Sequence, residues 1–342
     1  MPRRRSIASN TSEPDPRLGE LKDWLSGFER VAGAELTVAS EDASFRRYFR
    51  LTTPDESLIV MDAPPPQEDC RPFVKVAAYL EAMSLNAPRV IEADLERGFL
   101  LLTDLGSTLY LERLLADPEC VDSLYADAID ALIVMQREGQ TSKSQLPPYD
   151  AAFLDVELSL FHDWLCGTHL GIAFTPEEEM AWRDTCSVLI RNAVDQPQVF
   201  VHRDYHSRNL MVTADDNPGI LDFQDAMHGP GTYDLVSLLK DCYVRWPAER
   251  VRAWARDFHA LSTYAEEVDS DTFMRWFELM GVQRHIKASG IFARLNHRDG
   301  KSGYLADIPR TVGYIVELED RYDELQWLCR LIRERVLPAF ET

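Results

Sequence analysis

A chain of 342 residues with 45% apolar side chains has material for one large domain or two joined lobes around sizeable cores. Its 57 acidic residues against 36 basic ones give a formal charge of −21, without the basic footprint that non-specific nucleic-acid binding needs. No apolar run approaches the ~18 residues of a membrane span, and the basic start Met1-Pro-Arg-Arg-Arg-Ser6 lacks the apolar stretch of a secretory signal.

In chain order, residues 1–17 read as a solvated tail. Leu18, Leu21, Trp24, Leu25 and Phe28 then form one stripe, which predicts a helix over 17–33. The period changes to that of strands at 35–38, 44–51 and 57–61, the last ended by Pro64-Pro-Pro66. A helix follows over 71–84 with Phe73, Val76, Ala77 and Leu80 on its apolar face, and then strands at 90–93 and 98–103. Beyond 105 the pattern is helical, with segments at 108–116, 120–138, 151–167, 176–194, 232–243, 247–267, 271–296 and 307–335. The expected organisation is a tail (1–17), a small β-rich lobe with one inserted helix (18–105) and a larger, mainly helical lobe (106–342). Six scattered cysteines (Cys70, Cys120, Cys166, Cys186, Cys242, Cys329) include no C-x-x-C pair, which fits free thiols in a reducing cytoplasm.

One island breaks the helical half. Residues 198–201 are apolar and β-branched, and 209–213 and 219–223 flank a turn rich in Asp, Asn and Pro. Between the first two runs lies His202-Arg-Asp-Tyr-His-Ser-Arg-Asn209, and Asp222-Phe-Gln224 sits thirteen residues after Asn209. This resembles the H-R-D-x-x-x-x-N loop and the D-F-G segment of kinases. Phosphoryl transfer accounts for the residue types. A carboxylate, Asp204, aligns a hydroxyl nucleophile and takes its proton. The oxygens of Asn209 and Asp222 suit Mg2+, a hard cation that offsets phosphate charge. His202 is expected to brace the loop.

On these residues the chain is similar to the aminoglycoside phosphotransferase and choline kinase-like family, over roughly 20–335. The resemblance implies an α+β, protein-kinase-like two-lobed fold, ATP with Mg2+ as cofactors, and a small-molecule acceptor. No nucleic acid or membrane partner is expected. Only a few residues separate Asp222 from the helix starting near Thr232, so the long activation segment of protein kinases has no room. Asp234 resembles the family's acidic support of the catalytic loop. The first lobe departs from the kinase pattern: it has no G-x-G-x-x-G, and Met61 stands where the phosphate-binding lysine is expected. Arg46 or Arg47, with Ser44 and backbone amides of the first turn, is expected to meet the triphosphate instead. Residues 103–105, including Asp104, resemble the hinge that meets adenine through backbone groups.

Asp42-Ala-Ser-Phe-Arg-Arg-Tyr-Phe-Arg50, the 200–210 phrase and Gln283-Arg-His-Ile-Lys-Ala-Ser-Gly-Ile-Phe292 also resemble bacterial amino-sugar kinases of cell-wall recycling. That resemblance implies phosphorylation of the anomeric hydroxyl of N-acetylmuramate and N-acetylglucosamine, feeding peptidoglycan precursor synthesis. His206 and Arg208 are the candidate sugar contacts, with Arg208 facing a lactyl carboxylate. Gln283, Arg284 and His285 read as an exposed helix face, and Trp164, Tyr243, Trp246 and Trp276 as core. One rival is a kinase for a cationic aminoglycoside or choline-type amine, held by carboxylates such as Glu157, Asp163, Asp241 or the Glu177-Glu-Glu179 run. A second rival, a non-catalytic pseudokinase suggested by Met61, is opposed by the intact Asp204, Asn209 and Asp222.

Overall fold

The computed structural model of the chain describes residues 15–41, 45–142 and 145–340. Ser44 and most of the expected tail lie outside these residues. The chain divides into two compact units, 1–71 with 89–104 and 72–88 with 105–342.

The first unit begins with helix α1 (Pro16–Leu25), two residues inside the expected tail. Asp15 caps it, its carboxylate accepting from Leu18 N at 3.1 Å, and Pro16 fits the first position because no partner is needed for its missing N–H. Strands β1 (Glu35–Glu41), β2 (Arg47–Thr52), β3 (Ser57–Asp62), β4 (Val90–Asp94) and β5 (Phe99–Thr103) pair antiparallel in the order β1-β2-β3-β5-β4. Alternate residues of the sheet meet α1: Leu21 and Leu25 share a core with Phe49, Leu51, Leu58, Val60, Phe99 and Leu101. Met61 lies opposite Tyr48 and Leu100 and is fully buried.

The second unit opens with α2 (Arg71–Ala82), all but its first residue. Within this unit Phe73 lies 4.6 Å from the Phe223 ring, and Ile220 N donates to Asn86 O at 2.7 Å just beyond the helix. The helices that follow are α3 (Tyr110–Ala116), α4 (Val121–Glu138), α5 (Ala151–Leu160), α6 (Pro176–Val194), α7 (Tyr233–Leu239), α8 (Ala248–Leu261), α9 (Ser270–Asp299), α10 (Ile308–Val316) and α11 (Gln326–Leu331). The Glu177–Glu179 run sits in the first turn of α6, where a Thr175–Glu178 capping box closes it. The expected helix over 307–335 is two helices separated by turns. The one expected over 232–243 ends at Leu239, because Asp241 turns back to serve the loop described below.

The expected hairpin is β7 (Leu210–Met211) against β8 (Gly219–Ile220). Strand β6 (Gln198–Val201) pairs instead with β9 (Met227–Pro230), whose Gly229 and Pro230 hid it from a propensity reading. The largest correction concerns α9. Gln283, Arg284, His285 and Lys287 are 0%, 5%, 1% and 7% exposed, so the expected surface face is interior. α9 shares its burial with α5, α6, α7 and α10 and has no wholly solvent-facing side in its middle turns. Gly290 permits one of these approaches. A Cβ there would meet Leu160 C at 2.4 Å and Phe161 N at 2.6 Å, backbone atoms that cannot rotate away. Gly290→Ala is therefore expected to destabilise the fold by ~1–3 kcal/mol, although alanine is the better helix former, and urea unfolding measures it.

Candidate active site

Strand β6 ends at Val201 and β7 begins at Leu210, so residues 202–209 form a loop held at both ends. Arg203 takes φ 79° and Asp222 φ 59°, left-handed conformations that a non-glycine residue keeps only where its surroundings fix them. Asp234, in the first turn of α7, does the fixing at 203. Its carboxylate accepts from the backbone N–H of His202 at 2.6 Å and of Arg203 at 2.9 Å. Burial pushes the Asp234 carboxyl up to about 7, opposed by those two amide donors. His202 is fully buried and held neutral by burial, its pKa near 4, so Nδ1 accepts from Asp204 N at 3.2 Å. Tyr205 donates to Ala128 O at 2.8 Å, and Asp241 Oδ2 accepts from both Ser207 N at 3.0 Å and Ser207 Oγ at 2.5 Å. Asp241 Oδ1 takes Tyr243 N at 2.9 Å. The loop is thus hung on two buried carboxylates, one anticipated from the sequence and one not.

Three oxygen-bearing side chains meet on the hairpin. Asn209 Nδ2 donates to Asp204 O at 3.0 Å and to Asp222 Oδ2 at 3.3 Å, while Gln224 Nε2 donates to Asp222 Oδ1 at 2.8 Å. With its nitrogen turned to these acceptors, the Asn209 amide keeps its oxygen for another partner. Asn209 Oδ1 and the Asp222 carboxylate are hard donors of the kind Mg2+ takes, completed by water and phosphate oxygens. Among the described residues no group of three His, Cys, Asp or Glu side chains forms a metal cage. The donor set fits the cation.

Asp204 is half-buried beside these groups. Burial alone would raise its carboxyl, but Lys287, His206, Arg203 and Arg284 outweigh that and hold it down near 2. Two of these cations, Lys287 and Arg284, come from α9, and Glu157 of α5 pairs with Lys287 and with Arg203. Glu157 lies 2.7 Å from Arg203 Nη2 and 3.0 Å from Lys287 Nζ, accepts from Gln283 Nε2 at 3.1 Å, and is bonded by Tyr149 OH. Lys287 was not anticipated from the sequence, and Glu157 was expected only as a carboxylate for a cationic amine, not as a partner of the loop's cations. The signal available was charge inside apolar stripes, Glu157 between Leu154 and Leu158 and Lys287 after Ile286.

The other expected residues are placed as follows. His206 is buried with Nδ1 lacking a hydrogen-bond partner among the described residues, and Arg208 is exposed with its guanidinium 3.9 Å from the Tyr243 ring centre. Tyr243, read as core, lies beside the loop and 5.5 Å from His206. In the first unit, Arg47 is held by Asp62, at 2.9 Å and 2.5 Å from Oδ2, and by Asp15 at 2.5 Å. Moving it to a triphosphate would leave the fully buried Asp62 with Arg17 alone, at 2.7 Å. Arg46 is half-buried just before β2. The Asp104 carboxylate takes Arg50 at 2.7 Å and 3.1 Å and Ser57 Oγ at 2.5 Å, which leaves only its backbone for a nucleotide.

A phosphoryl group needs hard oxygen partners and an ionised acceptor around its path, and this hairpin, together with a five-stranded antiparallel sheet and a helical second unit, puts the chain in the kinase-like class. It belongs to the phosphotransferase enzyme family, whose pattern matches residues 35–268. It is 48% identical over 331 residues to the N-acetylmuramate/N-acetylglucosamine kinase of Pseudomonas aeruginosa, covering 93% of this chain and 96% of that protein. To the Pseudomonas putida protein of the same name it is 46% identical over 335 residues, covering 94% and 97%. The solved ethanolamine kinase of Plasmodium vivax superposes with a TM-score of 0.62 at 12% identity, covering 90% of this chain and 91% of that one, a likeness of fold alone.

Proposed function

We propose that the chain transfers the γ-phosphoryl group of ATP to the anomeric C1 hydroxyl of N-acetylmuramate and of N-acetylglucosamine. The sugar 1-phosphates would then enter nucleotide-sugar synthesis in cell-wall recycling. The observation that carries this reading is the 48% identity over 93% of the chain to a kinase named for those two sugars. Asp204 meets the acceptor hydroxyl in line with the phosphorus and accepts its proton. Held near 2, that carboxyl is a weak base. It suits an anomeric hydroxyl, more acidic than an ordinary alcohol, and a loose transition state in which the proton moves late. Asn209 Oδ1 and the Asp222 carboxylate hold Mg2+, which when bound neutralises phosphate charge. His202, Asp234 and Asp241 keep the loop in register. His206 and Arg208 contact the sugar. In the first unit Arg46, Ser44 and backbone groups at 103–105 serve the nucleotide, and Arg47 is left to its ion pairs.

A kinase for a cationic amine has less support. The carboxylates it would need are engaged: Glu157 by Arg203 and Lys287, Asp241 by Ser207 and Tyr243, and Asp163 by His162 at 2.8 Å. The test compares sugars blocked at C1, as methyl glycosides, with sugars blocked at C6. Phosphorylation is expected to vanish only with the C1 block. A C1-blocked sugar that still reacts, with the C6-blocked one inert, makes the protein a 6-kinase. Turnover of an aminoglycoside but of neither sugar favours the amine reading.

A further inference from the structure

A buried cation of the second unit makes no ion pair among the described residues. Arg284, in the middle of α9, is 5% exposed and makes a single hydrogen bond among the described residues, to the thiol Cys242 Sγ at 3.5 Å. A guanidinium offers five N–H groups in a fork that matches a carboxylate, and a buried charge without a partner is costly. Of the neighbouring anions, Asp204 feels the charge of Arg284 without a hydrogen bond to it, and the others have partners of their own. Glu157 serves Arg203 and Lys287, Asp241 serves Ser207 and Tyr243, and Asp234 serves the His202 and Arg203 amides.

The place of Arg284 is defined by what surrounds it. Cys242 holds it, and the next residue, Tyr243, lies beneath Arg208 and beside His206. His206 is near enough to feel the charges of Arg284, Arg208 and Asp204 together. Its Nδ1 is buried and unpartnered among the described residues. The metal donors Asn209 and Asp222 bond instead to each other and, through Asp222, to Gln224. Asp204 is tied to both groups: Asn209 Nδ2 donates to its backbone carbonyl, and the charges of His206 and Arg284 act on its carboxylate, the group that would meet an acceptor hydroxyl.

We propose that Arg284, with His206 beside it, is a carboxylate-reading residue that binds the lactyl carboxylate of N-acetylmuramate and so sets the preference between that acid and neutral N-acetylglucosamine. The proposal rests on the sugar-kinase reading above. It places the reader at buried Arg284, where the sequence expectation placed it at Arg208, whose guanidinium lies over Tyr243.

The experiment measures kcat/KM for both sugars at saturating ATP in the wild type, in Arg284→Gln and in Arg208→Gln. Arg284→Gln is expected to lower the ratio of N-acetylmuramate to N-acetylglucosamine efficiency by ~10–100-fold, the scale of a charge-assisted hydrogen bond, with the KM for ATP unmoved. Arg284→Lys should recover part of the ratio. An unchanged ratio, a selective loss in Arg208→Gln instead, or a rise in the KM for ATP overturns the assignment. The substrate side gives a second test that needs no folded variant. The wild type should use the neutral lactyl amide of N-acetylmuramate ~10–100-fold less efficiently than the acid, and equal use of the two overturns the proposal. A wild type that phosphorylates neither sugar is the distinct failure of the functional reading itself.

Discussion

Asp204→Asn is expected to lower kcat by ~10²–10⁴ while leaving the KM for ATP and the Mg2+ dependence nearly unchanged, the usual scale for losing a positioned proton acceptor. The amide keeps the shape of the side chain and removes only its charge and basicity. The loop should survive, because its supports are elsewhere: Asn209 binds the backbone carbonyl of residue 204, and Asp234 binds the amides of 202 and 203. The pH profile separates this role from a structural one. Burial opposes ionisation of Asp204, yet Lys287, His206, Arg203 and Arg284 depress it to about 2. A depressed carboxyl stays ionised at every pH above that value, so no acidic limb of kcat belonging to Asp204 should appear between pH 5 and 8. Its contribution to stability follows the same sign: present above the ordinary carboxylate pKa, and lost as pH falls toward 2. Steady-state kinetics on the amino-sugars, with circular dichroism as the control for folding, measure the effect. Turnover within ~10-fold of wild type would remove Asp204 from the reaction.

The parts of the site legible in the sequence were those where chemistry and local spacing coincide. Asn209 and Asp222 meet because two short strands with a turn between them bring positions thirteen residues apart into contact, with Asp204 in the loop leading into the first of those strands, and the strand pattern showed both runs. The five strands of the first sheet were legible for the same local reason. The supports were legible only in part. Asp234 could be placed through its family motif, whereas Asp241 is an ordinary acidic residue in sequence and becomes a loop anchor only because α7 ends at Leu239. Sidedness failed on α9. Gln283, Arg284 and His285 were expected to face water because polar groups usually do, but they are 0%, 5% and 1% exposed. The alternative, polar groups satisfied inside, as Gln283 is by Glu157 of a helix 126 positions away, is a long-range pairing that no local pattern encodes. Arg47, expected as an alternative to Arg46 for meeting phosphate, is bound by Asp62 and Asp15, which a strand pattern does not reveal.

Glu157 is the position where a single change should cost the fold most. It is 4% exposed, and around it stand Arg203, Lys287, Gln283 and Tyr149, of which the first two are charged and buried or nearly so. Burial opposes its ionisation, but Lys287 and Arg203 overcome this and hold the carboxyl below its usual range. Glu157→Gln keeps the volume and most of the hydrogen-bonding shape but leaves two cations without their shared anion. Breaking one side of a buried ion pair costs about 3–5 kcal/mol, since the remaining charge stays desolvated. Arg203 retains the Tyr149 and Phe153 rings, 5.6 Å and 5.0 Å from its guanidinium, whereas Lys287 keeps the Tyr233 hydroxyl at 2.8 Å and its ring, with the Asp204 carboxylate acting on it without a hydrogen bond. Lys287 is thus the more stranded ion, and it is the first of the cations that act on Asp204. Removing it as well, in Glu157→Gln/Lys287→Met, takes the uncompensated charge out of the interior, so the double variant should be more stable than Glu157→Gln alone. Such non-additivity is what a direct ion pair produces. Urea unfolding of the two single variants and the double variant closes the cycle. A Glu157→Gln protein within ~0.5 kcal/mol of wild type, the range of an ordinary surface change, would show that this carboxylate does not hold the cations behind the catalytic loop.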